Sequence, residues 1–79
     1  MEREWLIYAR KKRKLTQREM GRRLKVTESY YNMIEKGKRK KNLDLPLTRQ
    51  LSRILGIGIE QIILAEEKQK QIELLGIGE

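Results

Sequence analysis

Two runs of cations dominate the chemistry this chain can do: Arg10-Lys11-Lys12-Arg13-Lys14 and Lys38-Arg39-Lys40-Lys41. They flank a 23-residue segment. Ammonium and guanidinium groups at that density attract an acidic polymer. A charge run by itself is usually a solvated face. The asymmetry argues for more: residues 1–41 hold 15 Lys/Arg against 5 Asp/Glu, whereas residues 42–79 hold 4 against 6. The 79-residue chain carries a formal charge of +8, made of +10 over residues 1–41 and −2 over residues 42–79. On charge alone, RNA and membrane surfaces stay open as partners beside DNA.

Catalytic chemistry is poorly served. The chain has neither histidine nor cysteine. That removes the usual general base, the thiol nucleophile, disulfides and the common ligands of structural zinc. Ser29 and Ser52 have no imidazole partner, so a serine triad is excluded. Glu66 and Glu67 are adjacent on an expected helix, diverge, and read as solvated. No catalytic residue, metal site or cofactor is expected. Tyr30 and Tyr31 point about 100° apart on a helix and cannot form one stacking platform. Tyr31 reads as core and Tyr30 as a hydroxyl within reach of a phosphate, with Trp5 as a packing residue. Leu55-Gly56-Ile57-Gly58 recurs as Leu75-Gly76-Ile77-Gly78, but the intervening segments share nothing further and neither copy completes a phosphate-binding glycine loop. No apolar run approaches the roughly 18 residues of a membrane span, and the N-terminus is polar, so a cytoplasmic location without membrane contact is expected.

The elements that must position the charges read as helices. Strand signals are nearly absent, with one Val and no Phe. Residues 2–13 place Leu6, Ala9 and the stem of Arg13 on one face. Thr16-Gln17-Arg18-Glu19 is a capping box that starts a second helix, carries Met20 and Leu24 inward and stops near Lys25. Thr27 caps a third helix from Glu28 to Lys36, with Tyr31 and Ile34 inward, and Gly37 ends it. Lys38 to Leu43 reads as a loop. Asp44-Leu45-Pro46 opens a fourth helix with Leu47, Leu51, Ile54 and Leu55 inward, and Gly56 closes it. Ile59, Ile62 and Ile63 mark a fifth. Glu66 to Glu79 continues it, with Ala65, Ile72 and Leu75 as a second apolar seam. A turn of about three residues between the second and third helices forces them to cross. Gly21 is small where they would touch. The outward residues Glu28, Ser29, Asn32, Met33 and Lys36 owe nothing to a core, and a helix with such a face fits the major groove of DNA.

The stretch from Leu15 to Arg39 closely resembles the Cro/XRE, phage-repressor-like helix-turn-helix family. Its marks are the Leu-Thr-Gln entry, the Val-Thr before the third helix, and the Ile-Glu-Lys-Gly-Lys-Arg exit. The Ser-Tyr-Tyr-Asn-Met-Ile-Glu form is similar to a branch of Gram-positive bacteria and their phages. The resemblance covers roughly residues 3–65. It implies an all-α, compact five-helix, lambda-repressor-like domain over residues 1–65 in which helices 2 and 3 read DNA. Residues 66–79 would then be a helical extension and a candidate dimerisation tail. By position, the resemblance implies that Glu28, Ser29 and Met33 face base edges, with Thr27 and Asn32 at the groove edge. Gln17 would hold a phosphate and brace the start of helix 3. Tyr30, Lys36, Lys38, Arg39 and Lys40 would meet the DNA backbone. Arg10 and Glu35 match a partly buried salt bridge between helices 1 and 3.

Several positions depart from the family. Lys25 stands where glycine is common and must accept a left-handed conformation or alter the turn. Gly21 replaces the more usual Ala, at up to about 1 kcal/mol in a helix interior. Glu28 is acidic at a base-reading position, where a carboxylate can accept from the cytosine amino group. The loop from Lys38 to Leu45 lacks the Pro often found after the exit motif. The leading expectation is a sequence-specific regulator of double-stranded DNA, a repressor acting as a homodimer on a palindromic operator. It would be bacterial or phage-encoded, cytoplasmic and nucleoid-associated. Alternatives are an antitoxin or restriction-modification control protein, with a toxin or antagonist protein as an added partner, and a charge-driven binder of RNA or membrane surfaces.

Overall fold

The computed structural model describes residues 2–75. Five helices follow one another: α1 Glu4–Lys12, α2 Gln17–Leu24, α3 Glu28–Glu35, α4 Leu45–Leu55 and α5 Ile59–Leu75. There is no strand among the described residues. The expected all-α, five-helix architecture is therefore present, with boundaries within two residues of those read from the caps. The second copy of the Leu-Gly-Ile-Gly motif falls mostly on residues 76–79, outside the described residues, as does the side chain of Leu75.

Each start has a local cause. Thr16 Oγ1 accepts from the Glu19 amide at 3.0 Å, and Glu19 Oε1 accepts from the Thr16 amide at 2.9 Å, closing the capping box of α2. Thr27 caps α3 at the Tyr30 amide, 3.0 Å, and Asp44 caps α4 at the Leu47 amide, 2.9 Å. The ends of α1, α2 and α3 share one device. The amides of Lys14 and Leu15 return to the carbonyls of Lys11 and Arg10, those of Lys25 and Val26 to Arg22 and Gly21, and those of Gly37 and Lys38 to Ile34 and Met33. These are Schellman endings. Their left-handed residue is glycine only once: Lys14 has φ 58°, Lys25 φ 62° and Gly37 φ 74°. The turn between α2 and α3 thus keeps its geometry with lysine in the glycine position.

The core gathers one face of every helix. Leu6, Met20, Tyr31 and Leu51 are wholly enclosed, with Ile34 and Ile62 beside them. A buried Leu of this kind is worth about 1.5–3 kcal/mol relative to leaving it exposed. α2 and α3 cross so closely that a Cβ on Gly21 would lie 2.9 Å from the Val26 carbonyl oxygen and 3.2 Å from the carbonyl of Thr27. Gly21 is the seat on which the turn rests, which offsets its weak helix propensity. α5 runs without interruption through residues 65 and 66. Ile63, Leu64 and Leu74 lie exposed along it, while Ala65 and Ile72 are half-buried.

Candidate nucleic-acid interface

α3 owes its orientation to charges buried beneath it. Arg10 Nε of α1 donates to Glu35 Oε2 at 2.6 Å, and Gln17 Nε2 at the start of α2 donates to Glu35 Oε1 at 2.8 Å. The Glu35 side chain is 2 % exposed and that of Arg10 11 %. Arg10 Nη1 also donates to the Leu15 carbonyl at 2.9 Å, fixing the turn into α2. One carboxylate therefore ties three helices together. A buried ion pair of this geometry is a strong determinant of orientation and a weak one of net stability. Desolvation lowers the affinity of the Arg10 guanidinium for its proton, but Glu35 more than compensates and the value is raised.

Tyr31 stands beside the pair, wholly enclosed. Its hydroxyl has no hydrogen-bond partner of good geometry among the described residues. Burial first, and then the neighbouring Glu35 carboxylate, push this hydroxyl far above its ordinary range.

The opposite face of α3 is open. Glu28, Ser29 and Met33 are exposed, Asn32 is half-buried, and with Gln17 they line one shallow concavity. Met33 is 38 % exposed, large for an apolar side chain with a core available below it. Thr27 is exposed, although its hydroxyl is committed to the helix cap. Tyr30 is half-buried and packs against the core. Glu28 sits in the first turn of α3, where an acidic group also suits the helix dipole. Lys36, Lys38, Arg39 and Lys40 are exposed in and beyond the exit of the helix. Lys40 Nζ additionally donates to Asp44 Oδ2 at 2.8 Å.

Two placements differ from expectation. The Gln17 amide reaches Glu35, near the C-terminal end of α3, whereas the resemblance put its brace at the start of that helix. Glu66, expected in a solvated face, instead accepts from Arg3 Nε at 2.9 Å and from the Trp5 indole at 2.7 Å. Its side chain is 12 % exposed. Nothing in the sequence singles out Arg3 among the 19 cations. For Glu66 the sequence offers only its place four residues after Ile62, on the inward stripe of α5, while Lys70 a turn further on supplies an ordinary helix-surface partner that suits the solvated reading.

A solvent-facing helix seated by a second helix, with cations at its exit, defines a DNA-binding helix-turn-helix regulator. A family model described as helix-turn-helix, of the Cro/XRE type, matches residues 6–62, which spans α1 into the first turn of α5. The chain belongs to this family of DNA-binding regulatory domains, whose members bind double-stranded DNA. Comparison with curated proteins and with solved structures gave no match. No helix among the described residues is long and apolar enough to cross a membrane.

Proposed function

We propose that the protein is a sequence-specific transcriptional repressor that binds a palindromic operator as a two-fold dimer. α3 enters the major groove. Glu28, Ser29 and Met33 meet base edges, while Thr27 and Asn32 lie at the groove edge. Gln17, Tyr30, Lys36, Lys38, Arg39 and Lys40 hold phosphates. Dimerisation uses the extension over residues 66–79 together with the outer face of α5, and sets two half-sites about 34–36 Å apart, one turn of DNA. The observation that carries the reading is the solvent-facing side of α3, where Glu28, Ser29 and Met33 stand exposed although the helix is only eight residues long and pinned from below.

The test is selection of bound duplexes from a random pool at moderate salt. The expected result is a palindromic consensus with half-sites about 10 base pairs apart. Glu28→Ala and Ser29→Ala should alter the preferred bases, each by about 1–3 kcal/mol of discrimination. Lys38→Ala should weaken all sequences alike and flatten the salt slope by about one unit. A pool that emerges without a consensus refutes the reading and favours binding by charge alone.

A further inference from the structure

We infer that Arg3, which lies outside the helix-turn-helix, is a positioning residue for DNA binding: its guanidinium holds the basic segment after α3 in the conformation that presents Lys38, Arg39 and Lys40 outward. The inference rests on the proposed reading of those residues as phosphate contacts.

The geometry is unusually complete. A guanidinium has five N–H donors in a planar fork. Arg3 Nε donates to Glu66 Oε2 at 2.9 Å. Nη1 donates to the Ile34 carbonyl at 2.6 Å and to the Arg39 carbonyl at 3.3 Å. Nη2 donates to the carbonyls of Lys40 and Lys41, the latter at 3.1 Å. Every donor is used, and the residue is only 3 % exposed. The backbone joins in, since the Arg3 amide donates to the Glu35 carbonyl at 2.6 Å.

Two consequences follow from elementary electrostatics. First, α3 has no basic residue in its own last turn. Its terminal carbonyls carry partial negative charge and need donors or a cation. The amides of Lys36, Gly37 and Lys38 answer Asn32, Ile34 and Met33, and Arg3 answers Glu35 while adding its charge at Ile34. Second, the carbonyls of Arg39, Lys40 and Lys41 all point to one buried cation. Left-handed Lys40, φ 54°, makes the bend that brings them there. With the carbonyl dipoles turned inward, the exposed edge of the segment offers cations to a phosphate rather than carbonyl oxygens. Glu66 compensates the buried charge from α5, and the Trp5 indole, bonded to the same oxygen, holds that carboxylate in place.

Lysine cannot reproduce this. It keeps the charge and can answer Glu66, but it has three donors on one atom and no fork. Arg3→Lys therefore separates charge from positioning. The test measures equilibrium binding of the full chain to a selected duplex between about 50 and 200 mM salt. It compares wild type, R3K, K38A/R39A/K40A and the combination, and scales each to the folded fraction read by circular dichroism. The triple variant should flatten the salt slope by about 2–3 units, near 0.9 for each lost phosphate. R3K, at unchanged net charge, should flatten it by more than one unit and weaken binding at least about tenfold, with its preferred bases retained. In the R3K background the triple change should add less than half of its wild-type effect, because residues acting through one another are not additive. Glu66→Gln, which leaves the four carbonyl bonds in place, should shift the slope in the same direction by less, and keeps the test informative if R3K folds poorly. The inference is overturned if R3K lowers stability while the folded protein keeps its slope, or if the triple change adds in full. If the triple change leaves the wild-type slope untouched, the phosphate reading itself fails.

Discussion

Removing Arg10 from beneath α3 isolates a buried carboxylate, and the consequences can be worked through. Arg10→Met keeps the aliphatic stem but leaves Glu35, 2 % exposed, with Gln17 as its only aligned side-chain donor among the described residues. The Leu15 carbonyl also loses its Nη1 partner. Breaking a buried pair in this way costs about 3–5 kcal/mol. A chain of 79 residues is stable by about 4–12 kcal/mol in total. The melting temperature should therefore fall by at least about 12 °C, taking roughly 4–8 °C per kcal/mol for a domain of this size. Glu35→Gln should cost less, about 1–3 kcal/mol. It keeps the oxygen that Gln17 uses, and Arg10 lies nearer to water than Glu35 does. The double variant Arg10→Met/Glu35→Gln should recover at least about 2 kcal/mol relative to the sum of the singles, since neither buried charge remains. Urea unfolding followed by circular dichroism reads all three. Free energies that add within about 0.5 kcal/mol would refute the reasoning, because they would mean the two side chains do not sense each other.

Lys25→Gly should stabilise the protein by about 0.5–1 kcal/mol, the relief of a left-handed lysine less the extra freedom of glycine when unfolded, and a thermal melt reads it as a rise of a few degrees; a fall would mean that the lysine side chain holds the turn. Tyr31→Phe should cost less than about 1 kcal/mol or stabilise, because it removes an unpartnered hydroxyl. The raised value of that hydroxyl also means that wild-type stability is complete below its ordinary 10.0 and declines as pH rises past it, a decline that Tyr31→Phe should lessen in urea melts across alkaline pH. At the acid end, the Lys40 hydrogen bond and then the Leu47 amide hold the Asp44 carboxyl below its usual 3.8, and the Thr16 hydrogen bonds hold Glu19 below its usual 4.5. Their stabilisation is present above those values and is lost as pH falls through the lower folded ones, so Asp44→Asn, which keeps a capping oxygen, should flatten the acid limb of the urea midpoint; an unchanged limb would clear Asp44 of that role. Ile63→Glu or Ile72→Glu should halve the solution mass by light scattering if α5 carries the dimer contact; an unchanged dimeric mass would exclude it.

The parts of the fold that were legible in the sequence rest on short-range chemistry. Thr16 and Glu19, Thr27, and Asp44 with Pro46 each act within one helical turn, so spacing alone located three helix starts. The inward positions of Met20, Leu24, Tyr31 and Ile34 follow from helical periodicity in the same way. The Arg10–Glu35 pair came through the family resemblance, because nothing local joins residues so far apart. Arg3 and Glu66 stayed hidden for that reason: their meeting depends on the N-terminus lying against α5, which no window of sequence contains. The sequence puts Gln17 on its helix but not the end of α3 that its amide reaches. A flexible side chain chooses among partners only once the crossing angle is set.

That crossing angle has its own consequence. With the Gly21 seat leaving no space for a Cβ beneath the turn, α2 and α3 meet main chain against main chain and cannot press closer or slide without displacing backbone. A groove of slightly wrong width must then be reshaped on the nucleic-acid side, by bending or twisting of the duplex. Base steps that no side chain touches would influence affinity through their stiffness, and duplexes would be ranked in part by how readily they yield.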